Sequence, residues 1–310
     1  MIPTSERTRH GLTLVEVVVV LVIIALAALL LLMAVPQGRE QARLVACQRN
    51  LGQIGHGLAL YDQMHQKLPT VGDLAGLDEP RATPSPGPLR TLLDTLQLPD
   101  LTELRDARTP PQARPGLVPG EMPVRGFICA SDPNATAGRF AAPISYRAST
   151  GAGPSGNDGA FAPGHVLSLQ EIEAGDGLSY TAAFSERLVG DNQPDHIMPF
   201  NYQVVRGLVS AAGCPTASDP SDWRGDAGSS WTSAGFRSTL YNHALPPNGH
   251  PSCLALDGKT AFMGASSGHV RGVNLLHCDG AVALVRASID QKVWRELAKI
   301  GPAESREPAE

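Results

Sequence analysis

A run of nineteen residues without a charged or strongly polar side chain, residues 17–35, constrains this chain more than any other feature. As an α-helix the run would measure about 28 Å, close to the roughly 30 Å thickness of a bilayer's hydrocarbon core. A secretory signal peptide has a shorter apolar core, of about 7 to 15 residues, and its cleavage site follows that core. The run is therefore predicted to be a membrane-spanning helix.

A single acid, Glu16, lies at the start of this apolar run. A carboxylate inside a bilayer costs free energy, up to about 2.5 to 3.5 kcal/mol at the centre of a helix and less toward its ends. If the chain were cut between Gly11 and Leu12, the new ammonium group of Leu12 could pair with Glu16 of its own or a neighbouring chain. Glu16 would then be an assembly contact.

The leader that ends at Gly11, the segment Thr13-Leu14-Val15-Glu16 and the apolar run together resemble the class III leader of type IV pilins and type II secretion pseudopilins. In that family a prepilin peptidase removes the leader and methylates the new amine, and the apolar helices bundle into the core of a filament. The resemblance implies cleavage after Gly11, methylation of Leu12 and an assembly role for Glu16. It also implies a cytoplasmic N-terminus and a single pass through a bacterial inner membrane, with the head outside the cytoplasm.

Composition limits what the remainder of the chain can do. The net charge is -5 and the 25 lysines and arginines are dispersed, so no surface for nucleic acid is predicted. The 32 glycines and 26 prolines favour a loop-rich β domain over a helical bundle. About 240 residues follow residue 69, which is enough for one substantial head domain.

Apolar residues recur every three or four positions after residue 37, which predicts that the long helix continues with one buried face. These positions are Leu44, Cys47, Leu51, Ile54, Leu58, Tyr61 and Leu68. The same segment contains Gly52, Gly55 and Gly57, which weaken a helix by up to about 1 kcal/mol each. They indicate either close packing of another backbone against the helix or simply a weak helix.

Short apolar segments predict the strands of the head. One begins at Phe127, and others cover residues 144–148 and 181–185. Two more apolar runs flank Asp279-Gly280, and Asp-Gly in that position is a strong signal for a β-hairpin. Ser288, followed three residues later by Gln291, predicts the start of a C-terminal helix.

Five blocks of sequence extend the resemblance over nearly the whole chain. They are residues 47–55, residues 127–132, residues 176–181 with Glu186, residues 246–248 with Cys253, and His269 with Asp279-Gly280. Together they resemble DUF1559, a large bacterial family of pseudopilin-like proteins with a C-terminal signature of His, nine residues and Asp-Gly. His269, Asp279 and Gly280 have that spacing.

The five cysteines fit an exported protein, and two pairs can be drawn from them in fifteen ways. The family blocks imply one disulfide between Cys47 and Cys129, tying the helix to the head. They imply a second between Cys214 and Cys253, which leaves Cys278 free.

The resemblance implies an α+β, type IV pilin-like fold, with a long N-terminal transmembrane helix packed on an antiparallel β-sheet and a loop-rich head. Residues 1–11 form the leader, residues 12–36 the membrane and assembly helix, residues 37–68 its amphipathic second half, and residues 69–310 the head.

His269 and Asp279 are predicted to pair across the hairpin, through a charge-assisted hydrogen bond. Such a pair is more often a structural clamp than a catalytic dyad, because Asp before Gly already has a role in the turn. A metal site formed by His269, His277 and Cys278 would need a fourth ligand that the spacing does not supply.

Two further motifs are better explained without a catalytic or metal-binding role. Residues 264–268 match the Gly-x-Ser-x-Gly pattern of serine hydrolases around Ser266, but the flanking sequence lacks the strand and helix of a nucleophile elbow. Asp158 and Asp176 lie in glycine-containing loops and could bind calcium, although no regular spacing of oxygen ligands is present.

The sequence therefore favours a structural subunit without enzymatic activity and without a cofactor, which assembles through its N-terminal helix into a type IV pilus or a type II secretion pseudopilus-like filament. Its partners would be prepilin peptidase, other pilin or pseudopilin subunits in a homo- or hetero-filament, and inner membrane lipid. The alternative is a membrane-tethered hydrolase or carbohydrate-binding head that uses the pilin-like segment only as an export anchor.

The processing hypothesis predicts the mass of the native protein. Intact-mass and N-terminal analysis should find a chain that starts at Leu12, lacks the first eleven residues and carries one methyl group on its amine. An intact leader, or a cut beyond residue 35, would contradict the hypothesis.

Overall fold

The computed structural model describes residues 13–74, 76–77, 85–96, 98, 122–207, 209, 213–215 and 219–301, without the side chains of residues 30–36. The predicted processing residues, Gly11 and Leu12, lie outside the described residues. The chain divides into two compact units, Met1–Ala42 and Arg43–Glu310.

The first unit contains the start of helix α1, which runs Leu14–His65. At its N-terminus the backbone N of Thr13 donates to Glu16 Oε2 at 2.8 Å, and the backbone N of Glu16 lies 3.4 Å from Thr13 Oγ1. This reciprocal pair satisfies N–H groups that the first turn of a helix leaves without a partner. The large apolar side chains from residue 14 to residue 29 are all exposed, from 45% for Val17 to 82% for Leu14.

Within the part of the chain whose side chains the structure describes, no helix is both long and apolar enough to cross a bilayer. The predicted span, residues 17–35, extends into residues 30–36, whose side chains lie outside that part.

The second unit is built around the remainder of α1. Cys47, Leu51, Ile54 and Leu58 are at most 1% exposed and belong to one hydrophobic cluster with residues of the sheet. Their spacing of three or four residues places them on one face of the helix. The face that the structure buries is therefore the face predicted from the sequence.

Nine strands of the second unit form two sheets in the described residues. The strands are β1 Tyr146–Ser149, β2 Ala182–Glu186, β3 Tyr202–Val205, β4 Trp223–Arg224, β5 Leu240–Tyr241, β6 Ser252–Ala255, β7 Ala261–Phe262, β8 Gly272–His277 and β9 Val282–Arg286. One sheet has the order β5-β1-β2-β8-β9 and the other the order β4-β3-β6-β7.

Short helices lie before, between and after the strands. The α-helices are α2 Pro88–Thr91, α3 Leu169–Ala174 and α4 Gln291–Glu296, and the 3₁₀ helices are Leu92–Asp94, Arg125–Phe127, Leu178–Tyr180 and Pro220–Asp222. The described chain is thus α+β, as the sequence predicted.

The prediction of an antiparallel sheet is wrong for one pair of neighbouring strands in each sheet. β1 pairs with β5 in parallel, and β3 pairs with β6 in parallel, whereas the other pairs are antiparallel. Parallel neighbours need a long connection. Each of these two pairs is separated by several dozen residues, which gives the chain room to return in the same direction.

The C-terminal hairpin is confirmed. β8 and β9 pair antiparallel from Gly272 opposite Arg286 to Leu276 opposite Val282. In the turn the backbone N of Ala281 donates to Asp279 Oδ1 at 2.8 Å, and Gly280 has a φ of +88°. Glycine adopts that conformation without the steric penalty of a β-carbon.

Two local predictions are wrong, and in both an aspartate side chain decides the structure. The segment after Phe127 is a turn rather than a strand, because Asp132 Oδ1 accepts hydrogen bonds from two backbone N–H groups at 3.1 Å. Helix α4 begins after Asp290, not after Ser288, because Asp290 Oδ1 accepts from the next two free N–H groups at 2.8 and 3.1 Å. Aspartate is among the preferred residues both in turns and at the residue that caps the N-terminus of a helix.

The glycines of α1 allow a direct test of this packing. A β-carbon on Gly55 would lie 2.9 Å from Leu276 Cδ1 and 3.3 Å from the Cα of Gly280, whereas one on Gly52 would meet nothing within 4 Å. Gly55→Ala should therefore destabilise the protein by about 1–2 kcal/mol through overpacking. Gly52→Ala should stabilise it by about 0.5–1 kcal/mol through helix propensity.

Both variants can be compared with the wild type by urea unfolding in detergent micelles, followed by tryptophan fluorescence. A stabilising effect of Gly55→Ala equal to that of Gly52→Ala would contradict close packing of α1 against the hairpin.

Candidate functional site

A row of buried and half-buried polar side chains connects α1 to the five-stranded sheet. Gln48 Nε2 donates to Asn274 Oδ1 at 3.1 Å, and Asn274 donates from its backbone N and its Nδ2 to the two oxygens of Glu186, both at 2.9 Å. Glu186 Oε1 lies 3.4 Å from His269 Nε2, which is 3.5 Å from Cys129 Sγ. We call this group, together with the Cys47–Cys129 disulfide, the junction cluster.

The strands explain why these side chains meet. Glu186 is the last residue of β2, and Asn274 lies on the neighbouring antiparallel strand β8. Ser185 pairs with Leu275, so the next residue of β2, Glu186, lies opposite the preceding residue of β8, Asn274. Asn274 is fully buried and Glu186 is 1% exposed. A buried carboxylate needs hydrogen-bond donors to offset the loss of hydration, and Asn274 supplies two.

Both disulfides implied by the resemblance are present. Cys47 and Cys129 are joined with a Cα–Cα distance of 5.2 Å, and Cys214 and Cys253 with a Cα–Cα distance of 5.7 Å. Cys278 is free and buried, as expected. The first bridge links α1 to the segment before the turn at Asp132, and a bridge across such a long loop typically contributes about 2–5 kcal/mol.

A second polar link lies beside the first bridge. Asn50 Nδ2 donates to the carbonyl of Ile128 at 3.2 Å and lies 3.3 Å from the hydroxyl oxygen of Tyr146. Burial and, after it, the nearby charge of Glu186 raise the pKa of Tyr146 above its ordinary value. The phenol is therefore neutral and can act as a hydrogen-bond donor or acceptor in the core.

The loop before β8 holds His269 in place. A β-carbon on Gly268 would overlap the carbonyl oxygen of Ser131, so only glycine lets this loop approach the turn after Cys129 so closely. The backbone N of His269 donates to Ser267 Oγ at 3.2 Å, and the backbone N of Ser267 donates to Asn248 Oδ1 at 2.8 Å.

The predicted pair of His269 and Asp279 is wrong. His269 precedes β8 and Asp279 follows it, and a six-residue strand separates its ends by roughly 16 Å. Asp279 instead accepts a hydrogen bond from Ser179 Oγ at 2.6 Å. Partial burial opposes ionisation of Asp279, but the hydrogen bonds from Ser179 and the Ala281 backbone lower its pKa below the ordinary value. Asp279 and Gly280 therefore belong to the turn.

The metal triad of His269, His277 and Cys278, which the spacing disfavoured, is not formed, for the same reason. His277 and Cys278 lie at the Asp279 end of β8, away from His269. Burial raises the pKa of the Cys278 thiol, with a smaller contribution from the charge of Asp279. Cys278 therefore remains a neutral, inert thiol at ordinary pH.

Among the residues that the structure describes, one group could hold a metal ion. It consists of Cys47, Cys129, Glu186 and His269, whose ligand atoms all lie within 4.8 Å of one another. All four residues are buried.

The acids considered for calcium have ordinary roles in loops. Asp158 Oδ1 accepts from the backbone N of Ala152 at 2.8 Å, and Asp176 Oδ2 accepts from the backbone N of Gly301 at 2.8 Å. Such bonds to backbone N–H groups are typical of aspartate in turns.

Ser266 is not placed as a nucleophile. Residues 264–268 connect β7 to β8, two strands, whereas a nucleophile elbow connects a strand to a helix. Ser266 Oγ accepts a hydrogen bond from the backbone N of Leu188 at 3.1 Å, and His269 directs Nε2 toward Cys129 and Glu186.

Sequence reasoning missed Glu186, Asn274 and Gln48 as members of one cluster. Asn274 did carry a signal, since it is a polar residue inside the otherwise apolar segment Val273-Asn274-Leu275-Leu276. A buried polar residue in such a segment requires a buried partner.

Comparison with known families places both parts of the chain. A model of the prokaryotic N-terminal methylation motif matches residues 7–32, so the N-terminus is of the prepilin type. A second model, described as protein of unknown function (DUF1559), matches residues 36–292 and covers the whole junction cluster. The chain therefore belongs to the DUF1559 family. Neither the curated proteins nor the solved structures include a match.

The junction cluster predicts a ranking of two substitutions. Asn274→Ala should cost about 2–3 kcal/mol of unfolding free energy, because Glu186 would lose both donors in a buried environment. Gln48→Ala removes one hydrogen bond at a half-buried position and should cost only about 1 kcal/mol. Urea unfolding in detergent micelles measures both values, and equal costs would contradict the central place of Asn274.

Proposed function

We propose that this protein is a membrane-anchored, pilin-like structural subunit. Prepilin peptidase cleaves it after Gly11 and methylates Leu12, and the mature chain assembles through α1 into a type IV pilus or pseudopilus-like filament. The match of residues 7–32 to the methylation motif is the observation that carries this proposal.

The exposure of α1 supports an assembly role. Val17, Val18, Val19 and Val20 are between 45% and 52% exposed, although consecutive residues of a helix point about 100° apart. Every side of this segment is thus apolar and uncovered within its unit. A helix that is apolar all round requires lipid or other helices around it. The proposed single span of the inner membrane and the bundle of neighbouring subunits would supply both.

Glu16 is the one charge in this apolar segment, and in the uncut chain it has a local partner. Thr13 donates to Glu16 Oε2 from its backbone N at 2.8 Å and from its hydroxyl at 3.0 Å. Cleavage after Gly11 would create an ammonium group at Leu12. We propose that this group, on a neighbouring subunit, neutralises Glu16 when subunits meet, because opposite charges attract strongly away from water.

The second unit suits a head outside the cytoplasm. Its two disulfides are typical of an oxidising compartment, and its sheet packs on the buried face of the second half of α1, as a pilin-like fold requires. The head would be a structural module without enzymatic activity.

Two substitutions near the N-terminus separate assembly from helix capping. Glu16→Ala should leave membrane insertion intact but lower the yield of sheared filaments and of crosslinked oligomers by about tenfold or more, because it removes the charge that meets the neighbouring amine. Thr13→Ala removes the hydroxyl donor but keeps the backbone donor and the carboxylate, so its processed fraction should assemble nearly as well as the wild type.

Immunoblots of the sheared and membrane fractions, normalised to processed protein, measure both effects. Assembly of Glu16→Ala at the wild-type level would contradict the proposed contact between subunits.

A further inference from the structure

The two disulfides have different surroundings. Cys214–Cys253 lies in an apolar cluster that includes Val209, Ala244, Ala255 and Phe262. The Cys47–Cys129 bridge instead has the side chains of His269 and Glu186 beside it, 4% and 1% exposed. A disulfide needs no ionisable neighbours, and burial of an imidazole and a carboxyl group costs free energy that hydrogen bonds or charge pairing must offset. The contrast indicates that Cys47 and Cys129 belong to a larger site.

The distances fit a tetrahedral metal site. Zinc bonds of about 2.0 Å to nitrogen or oxygen and 2.3 Å to sulfur place neighbouring ligand atoms roughly 3.3–3.8 Å apart. His269 Nε2 lies 3.5 Å from Cys129 Sγ and 3.4 Å from Glu186 Oε1. Two edges of the tetrahedron therefore already have the required length. The other ligand atoms lie within 4.8 Å of one another, and the two sulfurs, which are bonded to each other, must move apart.

The donor set selects the class of metal. Two thiolates, one imidazole nitrogen and one carboxylate oxygen are ligands that zinc takes in tetrahedral sites. Asn274 donates to both oxygens of Glu186, and Gln48 in turn donates to Asn274. Outer hydrogen bonds of this kind fix the orientation of metal ligands.

We propose that Cys47, Cys129, His269 and Glu186 form a redox-gated zinc site, closed while the disulfide is intact and open once a dithiol reduces it. In the opening step the dithiol becomes a disulfide and gives two electrons and two protons to the Cys47–Cys129 bond, which becomes two thiols. Zinc binding then releases both thiol protons to water, and His269 binds as neutral imidazole with its proton on Nδ1.

The site has a structural consequence. Both states connect Cys47 on α1 to Cys129 in the head, through a covalent bond when oxidised and through the metal when reduced. The protein would therefore keep this link under oxidising and reducing conditions alike, provided that zinc is present. Among the described residues, no imidazole or carboxylate completes such a group around Cys214 and Cys253.

Cobalt(II) is the probe for this site, because it replaces zinc and its tetrahedral thiolate complexes absorb visible light. The full-length protein in detergent micelles is reduced with dithiothreitol without oxygen, freed of reductant by gel filtration and titrated with cobalt. We expect d–d and sulfur-to-cobalt charge-transfer bands that saturate at one cobalt per chain and disappear when zinc is added. The oxidised protein should give neither band.

Four variants assign the ligands. Cys214→Ser with Cys253→Ser is the matched control and should bind cobalt like the wild type, whereas Cys47→Ser with Cys129→Ser should lose the charge-transfer band. His269→Gln and Glu186→Gln keep the disulfide, so their fold is checked first in the oxidised state by near-UV circular dichroism. After reduction each should bind cobalt about tenfold or more weakly.

Several results would overturn the proposal. These are a reduced, folded wild type without the bands, equal bands in the oxidised protein, or wild-type affinity in both His269→Gln and Glu186→Gln. If reduction alone unfolds the wild type, zinc must restore its near-UV spectrum, because a metal that binds only the folded state stabilises that state. Failure to restore it would also refute the site.

Discussion

The contact between the second half of α1 and the five-stranded sheet is the constraint on which the head depends. An apolar face alone would let the helix slide or rotate, because hydrophobic contacts are not directional. The Cys47–Cys129 bridge and the bond from Gln48 to Asn274 fix one position along the helix relative to the sheet. Gly55, about two turns later, lets the Cα of Gly280 approach, so the hairpin turn also has one position.

Glu186 explains why this junction is polar at its centre. A carboxyl group that is 1% exposed would destabilise the core if any of its donors were missing, since buried polar groups are costly when unpaired. Its two bonds to Asn274 require β2 and β8 to be neighbours in a particular register. The cluster therefore stabilises one arrangement of the helix, the strands and the loop that carries His269. A purely apolar core would separate this arrangement from shifted ones by a smaller difference in free energy.

Local patterns predicted what depends on local physics. The three-and-four spacing from Cys47 to Leu58 identified the buried face of α1, and Asp279-Gly280 identified the hairpin, because periodicity and turn chemistry act over a few residues. The partner of His269 could not be found this way. Glu186 lies 83 positions earlier, and only the pairing of β2 with β8 brings the two together, so nearness in sequence pointed to Asp279 instead.

Two acids of this chain are stabilised in different ways under the proposed function. Glu186 has donors at fixed places in the folded head, so folding alone satisfies it. Among the described residues, Glu16 accepts hydrogen bonds from Thr13, three positions earlier. It lies on a helix segment whose apolar sides are all exposed. Transfer of that segment into lipid weakens competition from water and strengthens any ion pair. A carboxylate in that position gains most from a cation that arrives with another subunit, which couples its stabilisation to assembly rather than to folding.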